Sequence, residues 1–146
     1  MRIIPPIVAA FYLLVAWGLD SLFPGMPIIG SPYHLLGLVL FGVGGFLGGW
    51  AFLHFKKWDT PISTNAAPTA LVTTGPFRFS RSPIYVGLTC VLLGIAVFVG
   101  TLLWFLVPLA FAITMHAAYI PREEATLESL FGHEYLEYKS RVRRWL

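Results

Sequence analysis

Long apolar stretches without charge alternate with short polar clusters along this chain. Residues 3–19, 21–55 and 82–121 contain no Asp, Glu, Lys or Arg. A helix needs about 20 mostly apolar residues to cross a bilayer, so the first stretch predicts one span and the second predicts another with its connecting loop. As a single helix, the third would run to roughly 60 Å, about twice the hydrocarbon thickness. It is therefore expected to fold back at Gly100 and Thr101.

The pattern predicts one domain over residues 1–146 with the fold class of an all-α integral membrane bundle of about four transmembrane helices. The expected spans are 6–23, 33–55, 83–99 and 102–120, with a loop over 56–82 and interfacial C-terminal helices over 121–146. Pro121 is expected to break the last span and begin a new helix, because proline fits a first helical turn. An apolar stripe then recurs at steps of three and four: Leu127, Leu130, Phe131, Tyr135, Tyr138, Val142 and Trp145.

Composition and charge agree with a membrane protein and predict its orientation. Hydrophobic residues make up 57% of the chain and charged residues 12%, where about a quarter is usual for soluble domains. Four spans would place all ten Lys and Arg residues on the same side. The positive-inside bias then predicts that both termini and the 56–82 loop face the cytoplasm. This asymmetry explains the net charge of +3 without nucleic acid, since basic juxtamembrane residues attract anionic lipids.

Several other features carry no predicted chemistry. Cys90 is the single cysteine, and it is expected to be a small buried hydrophobe. His34 and His54 would lie about 30 Å apart along one helix, so they cannot share a metal ion, and no metal site is predicted. A signal peptide is not expected, because no convincing small-residue cleavage site precedes Asp20.

The 56–82 loop is too long to be a simple connection. Loops of this length without secondary structure are either disordered or functional. The apolar side chains of Leu71, Val72, Phe77 and Phe79 indicate that its second half lies back against the bundle.

Two polar clusters flank the predicted hairpin of the third and fourth spans. The 75–87 segment reads GPFRFSRSPIYVG, and residues 122–124 read Arg-Glu-Glu. Because the hairpin returns to its starting side, we expect both clusters to meet at one membrane face. His116 is expected on about the same side, and ionisable groups within spans tend to face cavities. Simpler roles stay open, since the arginines could anchor the chain and the glutamates could complement a helix dipole.

Glycines crowd the second span and admit two interpretations. Gly44 with Gly48, and Gly45 with Gly49, are spaced to let another helix backbone approach closely. Alternatively, Gly42 and Gly44 leave a bare patch for a flat ligand.

The runs LVTTGPFRFSRSPIYVG, PREEATLESLFG and EYLEYKSRVRRWL resemble the isoprenylcysteine carboxyl methyltransferase and phospholipid methyltransferase superfamily. The resemblance covers roughly the second half of the chain. It implies that S-adenosylmethionine is the cofactor, bound through an arginine–histidine–proline–x–tyrosine–x–glycine motif, a glutamate pair and a glycine pair. The matching positions are Arg81, Pro83, Tyr85, Gly87, Glu123, Glu124, Gly42 and Gly44. Ser82 stands where the family often has histidine or asparagine, which alters the contacts available at that cofactor-binding position.

The resemblance implies S-adenosylmethionine-dependent methyl transfer to an amphiphilic or lipid-like acceptor at the cytosolic membrane face, similar to isoprenylcysteine carboxyl methylation. The predicted catalytic residues are His116, Arg122 and Glu123. A carboxylate acceptor could be oriented by Arg122, whereas an amine or thiol would need His116 or a glutamate as a general base. Partners would be that substrate and membrane lipids, without nucleic acid or metal. Three alternatives remain: a phospholipid or small-amine N-methyltransferase, a membrane reductase and a non-catalytic assembly protein.

Overall fold

The computed structural model describes residues 4–57 and 70–146. The regular secondary structure of these ranges is helical. The middle of the predicted 56–82 loop, residues 58–69, lies outside the described residues. The α-helices are α1 (Pro5–Leu22), α2 (Leu36–Lys57), α3 (Pro83–Val99), α4 (Leu102–Thr114), α5 (Ile120–Phe131) and α6 (His133–Arg141). Short 3₁₀ turns precede α2 at Tyr33–Leu35 and α3 at Gly75–Arg78, and a π-helical segment, Met115–Tyr119, joins α4 to α5.

Within the described ranges, three helical segments are long and apolar enough to cross a membrane: Pro5–Leu22, Tyr33–Lys57 and Leu102–Phe131. The helix α3 is apolar but shorter, with 17 residues. Large hydrophobic side chains point outward, among them Trp17, which is 64% exposed, and Phe46, which is 69% exposed. Such a surface suits a lipid environment, because an apolar side chain that is exposed to lipid tails does not have the free-energy cost of exposure to water. The all-helical membrane fold class is confirmed.

Close approach of two glycine pairs holds α2 against α3. A Cβ atom added at Gly94 would lie 2.6 Å from the carbonyl oxygen of Gly37, and one at Gly44 would lie 2.6 Å from the carbonyl oxygen of Gly87. These backbones therefore touch, as is typical of small-residue contacts between membrane helices. The expected contact is confirmed for Gly44, whereas an added Cβ at Gly45 would meet nothing within 4 Å.

The predicted hairpin turn at Gly100 is confirmed. Gly100 ends α3 in the left-handed conformation, with φ of 79°, which glycine adopts without steric cost. Its carbonyl oxygen accepts hydrogen bonds from the backbone N–H groups of Ile28 and Ile29, at 2.7 and 3.1 Å. The loop between α1 and α2 therefore packs on this turn at the end of the bundle where α3 finishes.

The break expected at Pro121 does not occur. Pro121 lies in the first turn of α5, but the helix runs without interruption from Leu102 to Phe131. A proline ring normally clashes with the carbonyl four residues earlier, which here belongs to Ala117 in the π-helical segment. The wider π turn relieves that clash, so the last span leads straight into α5.

The C-terminal apolar stripe is divided between two helices, α5 and α6. Gly132, with φ of 49°, separates α5 from α6. A buried cluster contains Ala51, Val72, Phe77, Tyr135 and Tyr138, with Phe55, Leu71, Ile84, Leu127, Phe131 and Val142 packed against it. The loop segment after residue 70 therefore lies against the bundle as expected. Two members of the predicted apolar sets are not buried, because Phe79 and Leu130 are 67% and 48% exposed.

Candidate functional site

The 75–87 segment begins in a turn fixed against the end of α2. Gly75 has φ of 62°, and a Cβ atom there would lie 2.9 to 3.1 Å from the ring of His54. The same ring contacts the hydroxyl of Thr74, with Nε2 to Oγ1 at 2.8 Å. Glycine is favoured at this position by both the backbone angle and the close ring. His54 thus has a structural role that its position near a helix end did not reveal.

Ser80 and Ser82 shape the entrance to α3. The Ser80 hydroxyl accepts the backbone N–H of Ser82 at 3.1 Å and donates to the backbone carbonyl of Arg144 at 3.2 Å. Ser82 is buried and precedes Pro83, which begins the helix. The predicted motif therefore starts in a rigid corner that also contacts the C-terminal residues.

Glu124 is buried at the start of α5, and its carboxylate is held by arginines from two distant parts of the chain. Arg144 donates to Oε1 from Nε at 3.1 Å and to Oε2 from Nη2 at 2.6 Å. Arg81 adds an ion pair, with Nη1 at 3.0 Å from Oε1. Hydrogen bonding to Glu124 raises the pKa of Arg144 further above its already high ordinary value. The cluster therefore joins the entrance of α3 to α5 and to the C-terminal residues. A buried carboxylate needs such charged partners.

Arg81 and Tyr135 lie against each other, and each has a buried polar atom without a well-aligned hydrogen bond. Within residues 4–57 and 70–146, Arg81 Nε and the Tyr135 hydroxyl are buried without a well-aligned hydrogen bond. Burial raises the pKa of Tyr135, with nearby Glu124 adding to the rise and Arg81 opposing it. The phenol therefore stays protonated and can donate. Unpaired buried donors are uncommon in folded proteins and call for an explanation.

Tyr85 and Glu123 meet beside the ion cluster. The Tyr85 hydroxyl donates to Glu123 Oε1 at 2.5 Å, and Tyr85 is buried while Glu123 is half-buried. Residues from the two predicted polar clusters are thus directly bonded, at Tyr85 with Glu123 and at Arg81 with Glu124. The expected meeting of the 75–87 segment with residues 122–124 is observed.

His116 and Arg122 lie farther from this contact. The exposed His116 accepts a hydrogen bond at Nδ1 from the indole N–H of Trp145, at 3.1 Å. Because the indole can only donate, the neutral imidazole in this arrangement carries its proton on Nε2. Neither nitrogen is then available to accept another proton while the contact lasts. Arg122 is exposed, so its predicted catalytic role would require a substrate to reach it from outside.

The glycines proposed to bind the cofactor have different surroundings in the bundle. Gly44 and Gly87 face each other in the contact between α2 and α3, whereas a Cβ added at Gly42 would meet nothing within 4 Å. Gly42 and Gly44 therefore point in different directions. Their proposed cofactor role stays a prediction, and helix packing explains Gly44 and Gly87 without it.

Sequence reasoning missed the C-terminal contribution to the site. Trp145 belongs to the apolar stripe and Arg144 to a basic run beside it, but in the structure they contact His116 and Glu124 directly. Among the arginines of the C-terminal residues, Arg144 alone is partly buried, while Arg141 and Arg143 are exposed. The spacing of these three arginines in the sequence does not distinguish them, because the contact of Arg144 with Glu124 depends on the direction in which the chain leaves α6.

Among the described residues no group of three or more His, Cys, Asp or Glu side chains could hold a metal ion.

Comparison with known proteins bears on the family of this chain. A family model described as phospholipid methyltransferase matches residues 32–134, which include α2, α3 and both glutamates. A protein of Haemophilus influenzae (strain ATCC 51907 / DSM 11121 / KW20 / Rd), named only as uncharacterized, is 41% identical over 63 residues, covering 43% of this chain and 100% of the relative. The match extends over most of the chain and across the bonded contacts of Tyr85 and Arg81 with the glutamates. This integral membrane protein belongs to the phospholipid methyltransferase family, within the superfamily that its motifs resemble.

Proposed function

We propose that this protein transfers a methyl group from S-adenosylmethionine to a lipid-like acceptor at the end of the bundle where α3 begins and α5 starts. The observation that carries the proposal is the direct bonding of the two motif halves, Tyr85 to Glu123 and Arg81 to Glu124. The family match supports methyl transfer over the reductase and assembly alternatives.

The residues present fit the proposed cofactor. S-adenosylmethionine would supply an electrophilic methyl group together with cationic, carboxylate and hydroxyl groups that need partners. Glu123 offers a carboxylate for hydroxyl or cationic groups, and the unpaired donors of Arg81 and Tyr135 suit a carboxylate. Glu124 is already bonded to two guanidinium groups, so its role is to hold Arg81 in place.

Tyr85 and Glu123 would then bind and orient the reacting groups at the site. The phenol of Tyr85 fixes the orientation of the Glu123 carboxylate through a charge-assisted hydrogen bond, a strong class of hydrogen bond. A positioned carboxylate can orient a reacting group and exclude water, which is the main requirement for transfer of a methyl group. Because this hydrogen bond joins α3 to α5, each of the two side chains fixes the position of the other.

For the acceptor, the family match favours a phospholipid headgroup amine over the isoprenylcysteine-like carboxylate. Such an amine must lose a proton before it attacks, so a base is needed. Glu123 is the better candidate, because the observed Trp145 contact occupies the acceptor nitrogen of His116.

The site is further proposed to face the cytoplasm. Exposed basic residues gather at the end of the bundle that carries the site: Lys56, Lys57, Arg78, Arg122, Arg141 and Arg143. Positive residues favour the cytoplasmic side of membrane proteins, which is also where a polar nucleoside cofactor would be available.

Incubating purified protein with S-adenosylmethionine labelled in its methyl group, in vesicles of a mixed membrane lipid extract, tests the proposed reaction. The expected product is base-stable label in phospholipid headgroups, and Glu123→Gln is expected to reduce its rate at least about tenfold because a positioned carboxylate is lost. Base-labile label would indicate carboxyl methylation instead. Lipids that remain unlabelled in every extract would contradict the proposed activity.

A further inference from the structure

We propose that residues 142–146, the C-terminal strap, form a wall of the cofactor site, and that Arg144 is a positioning residue for Glu124. The inference rests on the proposed function and extends it to a segment outside the family match, which ends at residue 134.

The strap is attached to the site by bonds from several kinds of group. It leaves α6 in an extended conformation, with Val142 at φ of −119° and ψ of 133°. The backbone carbonyl of Arg143 accepts the N–H of Arg81 at 2.9 Å, and that of Arg144 accepts the Ser80 hydroxyl at 3.2 Å. Extended backbone presents carbonyl groups in this way to a neighbouring segment, so the strap runs along the entrance of α3.

Side chains of the strap reach two further elements. Arg144 bonds twice to Glu124 on α5, and Trp145 donates to His116 on the π-helical segment. The strap therefore joins the three elements that carry every predicted polar residue of the site. A mere membrane anchor would not need these contacts.

The geometry of Arg144 assigns it a positioning role. A bidentate guanidinium fixes both oxygens of a carboxylate and restricts its rotation. Glu124 in turn pairs with Arg81, which lies against the buried Tyr135 hydroxyl and whose Nε has no well-aligned hydrogen bond. Loss of Arg144 would release Glu124 and, through it, the guanidinium that we propose for the cofactor carboxylate.

Arg144→Met is the primary test, with Arg144→Lys as a conservative variant and Arg141→Gln as the matched control. Arg141 is exposed and pairs with Glu137 on its own helix. By calorimetry in detergent, Arg144→Met is expected to weaken S-adenosylhomocysteine binding about tenfold or more at unchanged stoichiometry, as expected for misplaced binding groups. Lysine should recover part of the affinity, and Arg141→Gln should bind as the wild type does.

Hydrogen exchange of the ligand-free protein provides an independent measurement. Arg144→Met is expected to speed exchange at the Arg81 amide, which the strap protects, while Arg141→Gln is not. Unchanged exchange at Arg81 would overturn the anchoring of the strap.

The remaining outcomes separate the two proposals. Wild-type binding together with equal affinity in Arg144→Met would overturn the positioning role and leave the proposed function intact. A drop in stoichiometry without a change in affinity would indicate a purely structural role and would also overturn it. Failure of the wild type to bind S-adenosylhomocysteine would instead overturn the proposed function.

Discussion

Replacing Glu124 with glutamine is expected to lower the free energy of unfolding by about 3 kcal/mol, the cost typical of removing one partner from a buried ion pair. Glutamine keeps the shape but removes the charge that holds Arg81 and Arg144. Both guanidinium groups would then remain partly buried without a counter-ion, and the strap would lose its main side-chain contact. Thermal unfolding in detergent, followed by circular dichroism, would measure the change as a lower unfolding temperature.

Glu128→Gln is the control for that substitution. Glu128 lies on the same helix, but it is exposed and pairs with Lys139 at 3.3 Å. Exposed pairs contribute between about 0 and 1 kcal/mol, so this variant should unfold close to the wild-type temperature. Equal effects of Glu124→Gln and Glu128→Gln would show that the buried cluster does not stabilise the fold.

Gly94→Val is expected to be strongly destabilising, because Gly94 lies in the backbone contact between α2 and α3. The added Cβ would lie 2.6 Å from the carbonyl oxygen of Gly37 and from the backbone nitrogen of Phe41. Backbone atoms cannot rotate aside, so α2 and α3 must separate at a cost of about 3 kcal/mol, the upper part of the range for overpacking. The same unfolding measurement should show a large fall in temperature.

Gly45→Val tests whether that effect comes from helix contact. Gly45 lies on α2, but a Cβ there would meet nothing within 4 Å, so the change should stay within about 0.5 kcal/mol. A substantial loss of stability at Gly45 would mean that this face is covered in the folded protein by something outside the described contacts.

Much of the fold could be predicted because the bilayer restricts the choices. Uninterrupted apolar stretches of spanning length must form helices, since unpaired backbone groups are too costly in lipid. The turn at Gly100 followed from the length of the third apolar stretch and from the Gly100-Thr101 pair at its midpoint. The meeting of Tyr85 and Arg81 with the glutamates followed from the hairpin. These inferences depend on counting residues rather than on detailed packing.

The remaining features depend on tertiary contacts that local patterns do not encode. Pro121 was expected to end a helix, but a π-helical segment accommodates its ring. Gly44 and Gly45 have equivalent spacing, yet only one faces α3. Arg144 resembles its basic neighbours in sequence and differs from them only because the strap turns back onto Glu124.

The different roles of the two glutamates could be assigned only from the structure. In sequence, Glu123 and Glu124 are interchangeable members of one pair. Their side chains leave α5 in different directions, so Glu124 is enclosed by two arginines while Glu123 meets Tyr85. We therefore assign the structural role to Glu124 and propose the ligand-binding role for Glu123.

Calorimetric titration of the detergent-solubilised protein with S-adenosylhomocysteine tests the central claim most directly. We expect saturable binding by the wild type and by Glu128→Gln, and about tenfold weaker binding by Tyr85→Phe, because a hydrogen bond to a charged group contributes about 1.5–3 kcal/mol. Glu123→Gln should weaken binding at least as much. Wild-type protein that does not bind, or that binds no better than Tyr85→Phe and Glu123→Gln, would contradict the assignment of this site.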